Sequence, residues 1–275
     1  MSPESAKRRV IIIALAIGLA VVGFPFYWML LTSLTPREVL FRPPYKLFRL
    51  DLSLQNFRDL FFATDFLIYL KNSLIASSGA VVLNVVAATL AGYGLTRFDF
   101  WAKRKFAQGV LFSYMFPPML MALPLYIILS ALQMRNTYFG IILAHTSVSL
   151  PLNIWLMWQY FQIVPISLEE AAWVSGAGKF RAMREICIPS AMPGILSVAL
   201  FAFALSWNDF TFAFILQTDK TMFTLPIGLS TFVEQTAIHW GMIMSSAVLV
   251  SIPTFAMVFF LQKYLIRGLG MSSQR

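Results

Sequence analysis

The chain has 275 residues, of which 59% are hydrophobic and only 12% charged, with a mean hydropathy of +0.73; an ordinary soluble domain carries about 25% charged residues. The net charge of +9 does not point to nucleic acid, because the basic residues sit in small clusters between apolar runs and not on one stripe. A single cysteine, Cys187, excludes an intrachain disulfide and a multi-cysteine metal site, and it reads as a small, half-buried side chain.

Lys7, Arg8 and Arg9 precede a charge-free run from Val10 to Pro36. That run outlasts the roughly 7–15-residue apolar core of a signal peptide, and no small-residue cleavage pattern follows before Arg37, so it reads as a retained first span. In the polar segment that follows, Phe57, Leu60, Phe61 and Tyr69 fit either a short interfacial helix or a solvated loop with hydrophobic anchors. Further uncharged windows cover 72–96, 106–134, 136–168, 186–208 and 235–262. Each exceeds the roughly 20 residues that cross a hydrocarbon core. Inside a bilayer only helices and closed barrels satisfy their backbone groups, and these windows lack the alternation of barrel strands. The expected fold is an all-α polytopic membrane protein. It forms one transmembrane domain over 1–275, with six helices near 10–34, 72–96, 106–130, 137–162, 191–216 and 242–266. Pro117, Pro118, Pro124 and Pro151 fall within spans 3 and 4, where prolines accompany bent helices along a pathway or serve packing alone. An even span number places both termini on one side. Assigning that side to the cytoplasm puts 13 of the 21 basic residues inside and 8 outside, the bias expected of cytoplasmic segments.

Between spans 4 and 5 the segment PISLEEAAWVSGAGKFRAMREICIPSAMPG, residues 165–194, reads as helix, turn, helix. Ser167 with Glu170 three residues on forms a capping box, and Pro165 lies just upstream. The helix runs through Ala171, Ala172 and Trp173 until Gly176 supplies a left-handed stop. A helix of about two turns is marginal alone in water, so it should dock against something. A second short helix starts near Lys179, with Phe180, Met183 and Ile186 on one side, and Pro189 and Pro193 lead into span 5. The result is a stiff bracket joined to two spans. The stretch Gly176-Ala177-Gly178-Lys179-Phe180 is not a phosphate-binding loop, because Trp173 and Phe180 stand where that pattern needs Gly and Ser or Thr.

Glu170-Ala171-Ala172, three residues, Gly176, nine residues, Ile186, one residue, Ile188-Pro189 resembles the EAA loop of ABC importer permeases, with Ile188 in place of Leu. FPFYWMLLTSL in span 1, NSLIAS and AGYGLTRFDF around span 2, and SWNDF in span 5 are similar to the maltose-transporter permease group. The resemblance implies a type I ABC importer permease fold in which the loop over 165–189 seats in a groove of a separate ATP-hydrolysing subunit. Its ATPase-coupling residues would be Glu169, Glu170, Ala171, Ala172, Gly176, Gly178, Ile186 and Pro189. Ala171 and Ala172 would permit close approach, while Glu170 either contacts the partner or caps its own helix. The implied assembly joins this chain to a second permease subunit and to two copies of an ATP-binding subunit that hold ATP and Mg. An extracytoplasmic solute-binding protein docks near 217–241, and the setting is a bacterial inner membrane. The chain itself would carry no cofactor, metal or catalytic residue, and the solute would be a sugar or polyol.

Trp207, Asn208 and Asp209 are candidates for the substrate path, since an intramembrane carboxylate is a functional candidate by default. Asn208 suits polyol hydroxyls and Trp207 a sugar face; an interhelical hydrogen bond or helix-end anchor is the plainer role. His145 and His239 lack partners at metal-ligand spacing and read as packing or interfacial residues. Tyr126, Asn153 and Gln159 are further polar residues that suit a path. The competing function is an autonomous secondary transporter or channel, which would place several ionisable residues within its spans. Here only Asp209 does so.

Overall fold

The computed structural model describes residues 3–40, 43, 51–233 and 239–270. Its helices are α1 (Pro3–Ser33), α2 (Arg37–Leu40), α3 (Gln55–Phe62), α4 (Phe66–Arg97), α5 (Lys103–Tyr114), α6 (Pro118–Ala131), α7 (Tyr138–Ile163) and α8 (Ser167–Val174). They continue with α9 (Lys179–Ala182), a π turn (Met183–Cys187), α10 (Ile188–Ser190), α11 (Met192–Trp207), α12 (Thr211–Leu216), α13 (Leu225–Val233) and α14 (Trp240–Gly270). Among the described residues there is no strand.

Four helices are long and apolar enough to cross a membrane unbroken: Val10–Ser33, Phe66–Arg97, Tyr138–Ile163 and Trp240–Phe260. Two bent pairs bring the number to six when each counts as one crossing. One break falls in span 3, at the prolines that accompany bent helices, and the other at the entry to span 5 marked by Pro189 and Pro193. The α5–α6 pair bends by 98° because Phe116 and Pro117 each precede a proline and are pushed out of the helical region; Pro117 sits at ψ 130. Lys179–Ser190 and Met192–Trp207 meet at 74° around Ala191, which is followed by Pro193 in the first turn of α11. Beyond Trp207 the helix stops again and α12 begins only at Thr211.

The chain divides into two compact units, each described by itself. The first holds Met1–Leu67 and Leu229–Pro253. Side chains of the apolar stretch of α1 point outward all round, Leu19 at 76% exposure among them, as in a lipid-facing span. The end of α1 is tied down by Asn56, buried on α3, whose amide donates to the carbonyls of Ser33 and Thr35 at 2.9 Å each. These carbonyls lie where a helix end has no partners of its own. With Leu60 fully buried beside it, α3 is a docked helix and not a solvated loop.

The second unit holds Ile68–Gly228 and Thr254–Arg275. Its centre is α7, which packs on α5, α6, α11 and α12. Small residues let the helices close on it, as membrane helix pairs require. A Cβ on Gly92 of α4 would lie 2.7 Å from Met157 Cβ and 2.9 Å from the backbone of Met157 and Trp158, and one on Gly194 of α11 would meet the Tyr160 ring at 2.4 Å. Between α4 and α7 runs a buried polar seam. Asn153 and Ser149 donate to Asn84 Oδ1 at 2.9 and 3.1 Å, and Asn84 donates to the Ala80 carbonyl. Asn153 therefore serves packing and not a path, while Tyr126 lies under the Arg135 guanidinium. At one end of α7, Asn136 ties the preceding turn to the one after α12 by accepting from the amides of Thr218 and Asp219.

Gly92→Val should force α4 off α7 and lower the stability of the purified protein by about 2 kcal/mol. Gly109→Val, with nothing within 4 Å of the added carbon, should leave it unchanged, and thermal unfolding in detergent measures both.

Candidate functional site

The loop between α7 and α11 is held from within by one carboxylate. Glu169, in the first turn of α8, is fully buried. Tyr93 Oη donates to its Oε2 at 2.8 Å, Cys187 Sγ donates to its Oε1 at 3.1 Å, and the Arg97 Nε closes on the same Oε1 as an ion pair. Arg97 sits at the last residue of α4 and spends the rest of its guanidinium on the Val164 carbonyl at 2.9 Å and on Cys187 Sγ at 3.7 Å. The Val164 carbonyl lies at the end of α7, where cations are favoured. Tyr93 is wedged edge-on between Phe98 and Phe161. Cys187 reaches the carboxylate from the π turn. Pro189 cannot give the amide that would continue an α-helix, and the wider turn before it carries Cys187 inward. Cys187 is thus fully buried and bonded, not half-buried and idle.

With Glu169 turned in, the remaining candidates fall on different faces. Glu170 and Ala171 are exposed and Ala172 half-buried; Glu170 makes no side-chain hydrogen bond among the described residues. The expected capping box does not form. The helix takes Ile166 as its N-cap with no side-chain cap, and the amides of both Glu169 and Glu170 bond to the Ile166 carbonyl. The stop at Gly176 does form: its φ is +86, its amide bonds to Trp173 O, and that of Ala177 bonds to Ala172 O. This is the double bond of a glycine-terminated helix. Gly178 begins α9 in an extended conformation open to any residue. Ile186 is half-buried and Pro189 exposed. On the second short helix Ala182, Met183 and Cys187 are the buried residues, whereas Phe180, expected on one side with Met183 and Ile186, is 70% exposed. Val174 is 90% exposed and Leu168 45%, so the outer face of the loop is apolar.

Trp207, Asn208 and Asp209 do not converge. The Trp207 ring is buried and stacked on Phe203 at 5.2 Å, closed to any ligand. Asn208 is exposed and donates to the Ala204 carbonyl. Asp209 accepts from the amides of Phe212 and Ala213 at 3.1 Å each and so starts α12, which is the anchor role. Its Oδ2 also meets His145 Nε2 at 3.1 Å, while His145 Nδ1 meets Ser206 Oγ at 2.6 Å. His145 is therefore a buried partner of Asp209 and not an isolated residue. The pair borders a small cavity of about 80 Å³. Beside it, at the α5–α6 bend, lies a cleft of about 260 Å³ lined by Tyr114, Phe116, Met121 and Pro151 among others. His239 is half-buried next to Trp240. Among the described residues no three His, Cys, Asp or Glu side chains gather as a metal site.

Reasoning from sequence missed Tyr93 and Arg97, and the pairing of His145 with Asp209. Arg97 carried a legible signal, a lone cation closing a charge-free window, but not the identity of its partner. Burial alone would push the Glu169 carboxyl up, yet the hydrogen bonds from Cys187, Tyr93 and Arg97, with the Arg97 charge, hold it below the ordinary glutamate range. A lowered value means that the anchor is fully present above the ordinary glutamate pKa and is lost as pH falls through the lowered one. Protection of the α8 amides from hydrogen exchange, corrected for intrinsic rate, should be flat from pH 8 to about 5 and fall only in stronger acid; in Glu169→Gln that acid step should vanish.

Residues 84–270 match the family described as binding-protein-dependent transport system inner membrane component. Over 270 residues the chain is 32% identical to the trehalose/maltose transport system permease protein MalG of Thermococcus litoralis, covering 97% of this chain and 96% of that one. It is 30% identical to the diacetylchitobiose uptake system permease protein DasC of Streptomyces coelicolor, covering 94% and 92%. With the trehalose transport system permease protein SugB of Mycobacterium tuberculosis it shares 29% identity, covering 98% and 97%. A bacterial ABC transporter involved in importing the acidic polysaccharide alginate has a chain of the same fold, with a TM-score of 0.84 at 20% identity over 96% of this chain and 99% of that one. By its helical, membrane-crossing fold and by its sequence, the chain belongs to the inner membrane components of binding-protein-dependent transport systems.

Proposed function

We propose that this chain is the permease subunit of an ATP-driven importer for a sugar or related polyol. In this reading the loop 165–189 is where a separate ATP-binding subunit, carrying ATP and Mg, docks. The observation that carries the reading is the two-sided character of α8. Its inner side is fastened by a buried carboxylate, while Leu168, Ala171 and Val174, with Phe180 beyond the turn, form an apolar outer face between two membrane helices. Such a face is worth its exposure only if another surface covers it. Relatives named for trehalose, maltose and diacetylchitobiose support a sugar as the solute.

Two permease subunits would enclose the path, and two ATP-binding subunits would close on one another when ATP binds. Their closure moves the loops, which rock the spans between inward- and outward-facing arrangements. An extracytoplasmic binding protein delivers the solute; a similar fold occurs in the alginate transporter solved with a periplasmic protein bound to an alginate pentasaccharide. Both termini would then lie in the cytoplasm, with α8. Glu170, exposed and without a side-chain hydrogen bond among the described residues, is a charged residue on the docking face. Asn208, and the part of Asp209 left open by its cap, are the members of the span-5 trio that can meet solute.

Gly176→Val forces a β-branched side chain into a left-handed conformation, at a cost of about 1–2 kcal/mol. It should strip a co-expressed ATP-binding subunit from the purified complex, while Gly176→Asn, which tolerates that conformation, retains most of it. Membrane insertion should be normal in both. Full recovery of the ATPase subunit with Gly176→Val would count against docking at this loop.

A further inference from the structure

Docking on α8 requires an exposed face, but it does not require a buried ion pair to a helix that is not a neighbour in the chain. α8 is joined covalently to α7 through 164–166 and to α11 through 175–191. Its polar ties to α4 are those of Glu169 to Tyr93 and Arg97, and among the described residues there are no others. Neither partner of the pair is available to a docked protein: the Glu169 side chain is 0% exposed and that of Arg97 9%. Arg97 in turn grips the last carbonyl of α7 and, with Glu169, the thiol of the π turn. One carboxylate and one guanidinium thus join α4, α7, α8 and the start of the fifth crossing.

We propose that Arg97 and Glu169, assisted by Tyr93 and Cys187, form a latch that makes α8 and the end of α4 move as one piece. Force applied to α8 then reaches the second membrane crossing directly as well as the two crossings that flank the loop. Glu169 is on this account a positioning residue that faces inward, distinct from Glu170, which faces the partner. The inference rests on the docking reading given above. A buried pair is suited to such a task because removing either member leaves an uncompensated charge, so the elements separate together or not at all.

The test uses the chain assembled with its partner permease and ATP-binding subunits in lipid nanodiscs. Spin labels replace Val174 on α8 and Trp101 just beyond α4, both exposed, and pulsed electron resonance reads their separation before and after ATP with vanadate. In the otherwise unaltered chain the separation should not change. In Glu169→Gln it should change by about 2 Å, the scale of helix shifts in such transitions, with the ATP-binding subunit still bound. Arg97→Lys, which keeps the charge but loses the fork, should behave in the same way, and Glu170→Gln should behave as the unaltered chain. An equal shift with and without Glu169 overturns the latch while docking stands. Loss of the ATP-binding subunit from the unaltered complex overturns docking and the latch together. If Glu169→Gln and Arg97→Lys cannot be purified while Glu170→Gln can, the pair is a folding determinant and the latch is overturned.

Discussion

A carboxylate without access to water costs several kcal/mol unless its charge is matched and its lone pairs are filled. In this chain the cost is met by three donors from two separate elements: Arg97 and Tyr93 on α4, and Cys187 on the π turn. That one requirement sets the rotation of α8. At 100° per residue, fixing Glu169 inward carries Ala172 and Trp173 toward the same side. Leu168, Glu170, Ala171 and Val174 are sent outward, which is the exposure found. A helix of eight residues has too little hydrogen bonding to hold itself in water. The buried carboxylate, the core around Met183 and Cys187, and the glycine stop at Gly176 hold it instead.

The helices that carry this loop differ in kind. α4 and α7 run unbroken and close on each other at Gly92, whereas the third and fifth crossings are each interrupted. Every interruption has a local cause. Consecutive prolines bend the α5–α6 pair, the approach to Pro193 bends the helix at Ala191, and the Asp209 carboxylate restarts the chain as α12. Pro151, by contrast, sits inside α7 without ending it, because neighbouring helices can supply what a proline removes. The α5–α6 bend and α7 together border the cleft beside His145 and Asp209.

Much of this was legible in the residues. Charge-free windows fall on the helices that are long and apolar enough to cross a membrane, and Gly176 announced its own left-handed turn. Other features were not, for physical reasons. The partner of Arg97 lies 72 residues away, and no local period links them. The capping box failed because two serviceable starts compete at the same helix and the backbone took the earlier one, at Ile166. Phe180, Met183 and Ile186 were grouped on one side by helical spacing, but the π turn lets Met183 and Cys187 share the buried side while Phe180 stays exposed. Trp207 suited a sugar face by its chemistry, and only packing against Phe203 reveals that its ring takes a structural place instead.

The seam of Asn84, Ser149 and Asn153 has a bearing on how such a machine can change shape. In hydrocarbon no water waits to replace a broken bond, so turning α4 against α7 by even one residue would orphan several groups at once. The seam acts as a key in a keyway: it permits the two rods to travel together and forbids them to roll. Room for adjustment lies instead at the elbow between α5 and α6, where Met115 and Met121 line the cleft and unbranched thioethers reshape easily.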